Sequence, residues 1–367
     1  MKTLHVLICI PALLALLSCQ LFVPLYYYNG ITTNSGPSWK PVGQAGFSAG
    51  QADWISLAFN GNTPYIAYED YAAGSCASVM MFTGSAWSYV GGQGFSPGQA
   101  QYTSLAINKG IPYVAYSAVN NGGNLTLAGY NGGIWTTNDS AKPLATYTSL
   151  AFDNNNNAFM IYSCGESSDF SCVNEFSGGL WPFIGSGSGF SAGAASSTSI
   201  AIDNNNYLYA AYEDAGNANK ATVMIYTSAW ALLGTAGFSS GIAAYTSIAL
   251  LGATPYVVYN DSTLGGVMMA YNGSAWQAVG PSFEPAGVSY PSMAFIGNTP
   301  YVAYVDNANG GYATAKEFTN GGWVTVGKTA FSAGPVSFTC LAVNSGVLYL
   351  AYQDSGNGKK ATLMKFN

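Results

Sequence analysis

Few side chains in this 367-residue sequence have the chemistry for catalysis or metal binding. Its ten basic residues are all lysine, arginine is absent, and the one histidine, His5, stands in an N-terminal stretch that reads as a leader. With the leader removed, no imidazole is left for base work or for zinc, which excludes histidine triads and histidine-ligated metal centres. Serines are abundant, but no base can be assigned to any of them, so the sequence supports no catalytic residue, no metal site and no cofactor. Loss of Lys2 with the leader leaves nine lysines against sixteen carboxylates, an acidic balance that repels nucleic acid.

The carboxylates are not scattered. Asp70, Asp214, Asp261, Asp306 and Asp354 each end a similar run, and Glu69 and Glu213 precede two of them. The positions expected across the following turn hold Ser78, Thr222, Val267, Thr314 and Thr362, so four of the five pairs can hydrogen-bond, as in an Asx-type turn cap. The same acids could instead line a ligand-binding face, joined by Glu166 and Asp169 in a divergent loop. In the third copy the two positions are Cys164 and Cys172, which predicts a disulfide across the hairpin in an oxidising compartment. Cys76 and Cys340 have no evident partner. The runs Asp153–Asn157 and Asp203–Asn206 carry one carboxylate each and read as hairpin turns rather than calcium loops.

Tryptophan supplies the ruler for the elements that must position these groups. Trp39, Trp87, Trp135, Trp181, Trp230, Trp276 and Trp323 are separated by 48, 48, 46, 49, 46 and 47 residues. Within each period four short runs recur between turn residues: S-L-A-F (strand A), P-Y-V-A-Y (B), A-T-V-M-x-Y (C) and W-x-x-V-G (D). Strand A starts at Ser56, Ser104, Ser149, Ser199, Ser247, Ser292 and Cys340. Four strands at this period predict an all-β, seven-bladed β-propeller with four antiparallel strands per blade. The last copy stops after strand C, and residues 38–43 are a D strand with nothing before them. The N-terminal strand is therefore expected to complete the last blade and close the ring, removing two sheet edges. The tryptophans fit two roles: Trp87, Trp135, Trp181, Trp230, Trp276 and Trp323 could stack on sugars with multivalent avidity, or pack between sheets, the stronger reading.

The first 18 residues pair Lys2 with an apolar run, a secretory-signal pattern too short to span a bilayer. It ends in Leu16-Leu17-Ser18-Cys19, which resembles the bacterial lipobox and implies lipidation at Cys19. The organisation expected is thus a signal peptide over 1–18, lipidated cysteine and tether over 19–37, and propeller over 38–367. Membrane contact is expected through the lipid alone, with the protein exported and held at the cell envelope, outer membrane or cell surface.

The W-x-x-V-G, G-F-S-x-G and Y-T-S-L-A-F elements resemble those of secreted bacterial repeat propellers, a resemblance that carries architecture and no particular activity. Neither the W-D pair of WD40 blades nor a sialidase Asp-box is present. The repeated Phe-Ser of G-F-S-x-G suits either inter-blade packing with a turn-closing serine or a ring of sugar-binding groups. Three functions follow in order: an exported scaffold binding a protein or extracellular polymer, a carbohydrate-binding lectin, and a polysaccharide hydrolase or lyase using acids on the loop face.

Overall fold

The computed structural model describes residues 36–367 apart from 142, 143, 166, 167, 186 and 188. Cys19 and Glu166 lie outside the described residues. Seven antiparallel sheets form a ring, a seven-bladed propeller in which neighbouring blades meet through their A strands. The first blade runs Ala52–Asn60, Thr63–Asp70, Cys76–Phe82 and Trp87–Tyr89. The later A strands are Ala100–Asn108, Ala145–Phe152, Ala195–Ile202, Ala243–Leu251, Val288–Ile296 and Val336–Asn344. Strand B is buried on both faces from Ile66 to Asp70, because adjoining blades cover both sides of it. Its closing tyrosine, Tyr68, Tyr116, Tyr162, Tyr212, Tyr259, Tyr304 or Tyr352, is among the largest fully buried side chains of the fold.

Closure occurs where the repeat count demands it. Trp39–Pro41 pairs antiparallel with Lys360–Phe366, matching Trp39 to Phe366 and Pro41 to Met364, and becomes the fourth strand of the last blade. The third blade departs from the expected pattern, since only Ala145–Phe152, Ala158–Cys164 and Phe170–Phe176 form its sheet. Its would-be D strand contains Pro182, which has no N–H for the ladder. Asn174 compensates by donating its side-chain amide to the carbonyls of Trp181 (2.9 Å) and Pro182 (3.1 Å).

Blades are joined by two repeated seams. On the outer seam the indole N–H of Trp87 donates to the Val42 carbonyl at 2.8 Å, that of Trp135 to Val90 at 2.7 Å, and that of Trp276 to Leu233 at 2.7 Å. Trp39 closes the circle by donating to Val326 at 3.0 Å. The glycine of W-x-x-V-G admits this contact: a Cβ on Gly91 would stand 2.9 Å from the Trp135 ring. On the inner seam the strand-A serine of one blade accepts from the next blade's A strand, as in Leu105 N–H to Ser56 Oγ and Leu341 N–H to Ser292 Oγ, both 2.9 Å.

Candidate functional site

The site begins with a backbone irregularity. Near the start of every A strand the register against strand B shifts, between Asp53 and Ser56 in the first blade. One residue at each shift takes a left-handed backbone: Trp54, Tyr102, Tyr147, Ser197, Tyr245, Tyr290 and Phe338, with φ from 48° to 57°. Such a bulge re-aims the side chain. Because A strands line the axis, the seven residues converge on one mouth, a cavity of about 610 Å³.

Six of the seven are aromatic and form an interrupted collar. Trp54 lies 4.2 Å from Tyr102 and 4.9 Å from Phe338 between ring centres, and Tyr102 lies 5.2 Å from Tyr147. On the other side Tyr245 stands 4.7 Å from Tyr290, which stands 4.9 Å from Phe338. The break falls at Ser197 in the fourth blade. Below the collar the hydroxyls of Thr103, Thr148, Thr198, Thr246 and Thr339 donate to the carbonyls of Trp54, Tyr102, Tyr147, Ser197 and Tyr290, so a hydroxyl girdle fixes the backbone that holds the rings.

The phenols interact across the mouth. Burial, and then Tyr245, Asp53, Tyr147 and Tyr102, push Tyr290 up to about 12. Tyr102 is raised by burial and then by Tyr147, while Tyr147 is raised by burial, then by Glu213, Tyr245 and Asp169. These hydroxyls therefore stay protonated at neutral pH and can donate and accept hydrogen bonds. Glu213 lines the cavity and accepts from Ser196 Oγ at 2.5 Å; among the described residues it is the one carboxylate in the lining, and the lining contains no lysine.

The acids singled out in the sequence have a different fate. Asp70, Asp214, Asp261, Asp306 and Asp354 are buried and offer no ligand-binding face. Their lone pairs satisfy turn N–H groups that would otherwise be orphaned. Asp70 accepts from Ala72 N–H at 3.0 Å and Ser78 Oγ at 2.9 Å, and Asp306 accepts from Asn309 N–H and from Thr314 Oγ1 at 2.8 Å. Asp214 accepts from Gly216 N–H, and Asp261 has no hydroxyl opposite and accepts from Gly241 and Thr263 N–H groups. Asp169 is exposed in the third blade's B to C turn, and its charge reaches Tyr147 at the mouth. Cys164 and Cys172 occupy the positions of the hydrogen-bonded Asp70 and Ser78, and both are 1% exposed.

The repeat tryptophans are not laid open for sugar. Phe47 stacks on Trp87 at 3.9 Å, Phe95 on Trp135 at 4.0 Å, Phe190 on Trp230 at 3.9 Å and Phe238 on Trp276 at 4.7 Å, all within 15° of parallel. Each thus has one face covered by a G-F-S-x-G phenylalanine and its N–H held by the preceding blade. Trp323 meets Phe283 edge-on in the variant copy, and Trp181, preceded by a loop without G-F-S-x-G, meets Phe176 of its own blade. The loop serines close turns, as Ser48 Oγ does by donating to Gly50 at 2.7 Å. The carboxylates of Asp153 and Asp203 are likewise taken up in hairpin turns, accepting from Asn155 and Asn157 and from Asn205 and Tyr207.

Sequence reasoning missed the collar. Its signal was a residue two places before the serine or cysteine of each A strand, aromatic in six copies of seven.

No protein-family profile matches the chain, and no curated protein matches it in sequence. Many solved structures share the fold. An ulvan lyase from a new family of polysaccharide lyases, bound to a saccharide of glucuronic acid and 3-sulfated rhamnose, aligns with a TM-score of 0.59 at 11% identity, covering 88% of this chain and 95% of the lyase. The lectin SapL1, bound to α-methyl fucoside, aligns at 0.51 and 16% identity over 72% of this chain and 92% of the lectin. A prolyl endopeptidase aligns at 0.53 and 10% identity over 88% of this chain and 50% of its own. At these identities the likeness is one of fold.

Proposed function

We propose that this protein is an exported, lipid-anchored binding propeller that takes a glycan at its axial mouth. The observation that carries this reading is the collar: six aromatic rings gathered around one cavity with phenolic and threonine hydroxyls between and beneath them. Apolar sugar faces pack on aromatic rings while hydroxyls exchange hydrogen bonds, the mix of apolar wall and few polar groups found in small-ligand sites. The lectin and the polysaccharide lyase among the structural neighbours lend the reading support. Anchoring rests on the lipobox-like Leu16 to Cys19.

Binding without turnover fits the electrostatics better than lyase or hydrolase chemistry. A phenolate base needs a lowered pKa, whereas Tyr290 is pushed up to about 12 and Tyr102 and Tyr147 are also raised. Among the described residues of the lining no cation offsets a uronate carboxylate, and Glu213 would repel one.

A glycan array probed with the purified protein tests this, followed by titration of the best binder into Tyr147→Ala and Tyr245→Ala, whose rings are 38% and 37% exposed. Each truncation is expected to weaken binding about tenfold, from ~1–1.5 kcal/mol of stacking. Silence across the array, or binding untouched by both substitutions, sinks the proposal.

A further inference from the structure

The break in the collar has an internal control. Glu69 in the first blade and Glu213 in the fourth occupy the same position, each register-paired with the residue before the collar side chain, Asp53 and Ser196. Glu69 is 1% exposed: Trp54 and Ser75 are directed at its carboxylate, and Gln99 Nε2 donates to it at 2.9 Å. Glu213 has Ser197 where the first blade has Trp54, remains half-buried, and opens into the cavity with Ser196 Oγ as its hydrogen-bond donor. The fourth blade lacks both the ring and the amide that cover Glu69, with Ser197 in place of Trp54 and Ile242 in place of Gln99, and its carboxylate is left open to the cavity.

We infer that the Ser197 notch is a subsite for a positively charged amine, and that the glycan taken at the mouth carries amino-sugar units. This rests on the reading of the mouth as a glycan site and adds the class of sugar. Three features converge on an ammonium group. Glu213 is the one carboxylate among the described lining residues, with lone pairs to spare beside Ser196 Oγ. The tyrosines flanking the gap, Tyr147 and Tyr245, supply phenolic oxygens as acceptors and π-faces that attract cations. Among its described residues the lining brings no lysine to compete. An ammonium presents three N–H donors and so can bond the carboxylate and the phenols together.

Two substitutions separate this inference from the broader one. Glu213→Gln keeps the shape and a carbonyl oxygen for Ser196 while removing the charge. Ser197→Tyr rebuilds the collar as four other blades carry it, at a backbone φ of 51° within the range those tyrosines adopt, and gives up only the Ser197 Oγ that accepts from the Tyr245 N–H, so the fold should tolerate it. Calorimetric titration with a glucosamine hexamer, its amines protonated, and with cellohexaose as neutral control gives the readout. The wild type is expected to prefer the glucosamine oligomer, and either substitution to lower that affinity about tenfold or more, the worth of a hydrogen bond to a charged group (~1.5–3 kcal/mol). Cellohexaose binding should be indifferent to Glu213→Gln. Glucosamine binding that survives both substitutions, or cellohexaose bound as tightly as the amino sugar, overturns the notch and leaves the glycan site standing. A wild type that binds neither these oligomers nor any glycan on the array overturns both.

Discussion

Ring closure hangs on a strand of three residues, Trp39–Pro41, and removing the Trp39 side chain tests how much of the fold's cooperativity passes through it. Trp39 is 8% exposed, stacks on Phe331 at 4.6 Å and 6°, tilts against Phe366 at 5.6 Å, and donates its indole N–H to Val326 at 3.0 Å. Truncating a buried aromatic to alanine costs about 3–5 kcal/mol. Losing the hydrogen bond while leaving a carbonyl behind adds about 1 kcal/mol. A sum of roughly 4–6 kcal/mol is a large share of the ~5–15 kcal/mol that holds typical domains folded. For a protein of this size each kcal/mol moves the melting midpoint by ~2–4 °C at most, so Trp39→Ala should melt on the order of 10 °C below wild type. Trp87→Ala removes an equivalent staple from a D strand that the chain holds at both ends, and it should lose less. Trp39→Phe keeps a ring over Phe331 and gives up the N–H, so it should fall between. Calorimetry on the three variants decides. A Trp39→Ala protein that melts with the wild type would show that the N-terminal strand does not lock the ring.

Two further predictions follow from buried groups. Cys164 and Cys172 stand where other blades hold contacting Asp and Ser or Thr side chains, so a disulfide between them is expected: the intact mass of the protein prepared under oxidising conditions should rise by two hydrogens on reduction, and an unchanged mass refutes the bond. Burial raises the Glu69 carboxyl above its ordinary range, against the lowering effect of hydrogen bonds from Gln99 and Ser75. The folded protein therefore binds more protons than the unfolded chain between the two pKa values, and stability attributable to this group falls as pH rises through that window. Glu69→Gln keeps an acceptor for Gln99 and removes the titration. It should gain on the wild type from pH 4 to pH 7 in thermal melts, and a variant that loses ground over that interval contradicts the assignment.

The legible parts of this fold were those that residue type alone encodes. A tryptophan every 46 to 49 residues gave the blade count, and the unmatched Ser38 to Gly43 segment gave the closure later seen in the pairing of Trp39 with Phe366. The recurring Asp was legible as a turn cap because short acidic side chains satisfy turn N–H groups wherever they fall, and complete burial then removed the same residues from any ligand face. The third blade's missing D strand was written in Pro182 but masked by the surrounding W-x-x-x-G pattern. The collar was harder to read. An aromatic at the head of a β-strand looks like sheet packing, and nothing in Trp54 or Tyr102 as a residue type announces a left-handed backbone that turns it toward the axis. Glu213 was harder still, since its accessibility comes from a ring that Ser197 lacks and an amide that Ile242 lacks.

That backbone is the strongest reason to treat the mouth as more than a seam. Glycine is the residue that adopts φ near +50° without steric cost, and the chain has 45 of them, many at positive φ in its turns. None stands at the seven bulges of the A strands, where six aromatics and a serine hold a conformation that costs about 1–3 kcal/mol each. The threonine girdle supplies part of the compensation by fixing five of the seven carbonyls. If the bulge served only to pack blades, glycine would do it with less strain. Six aromatics retained at that expense place the need in the side chains and in the cavity they surround. Ser197 carries the same strain without a ring; its Oγ accepts from the Tyr245 N–H at 3.1 Å, tying it to the next blade, and the gap it leaves bares Glu213, the group at the mouth best suited to use that gap.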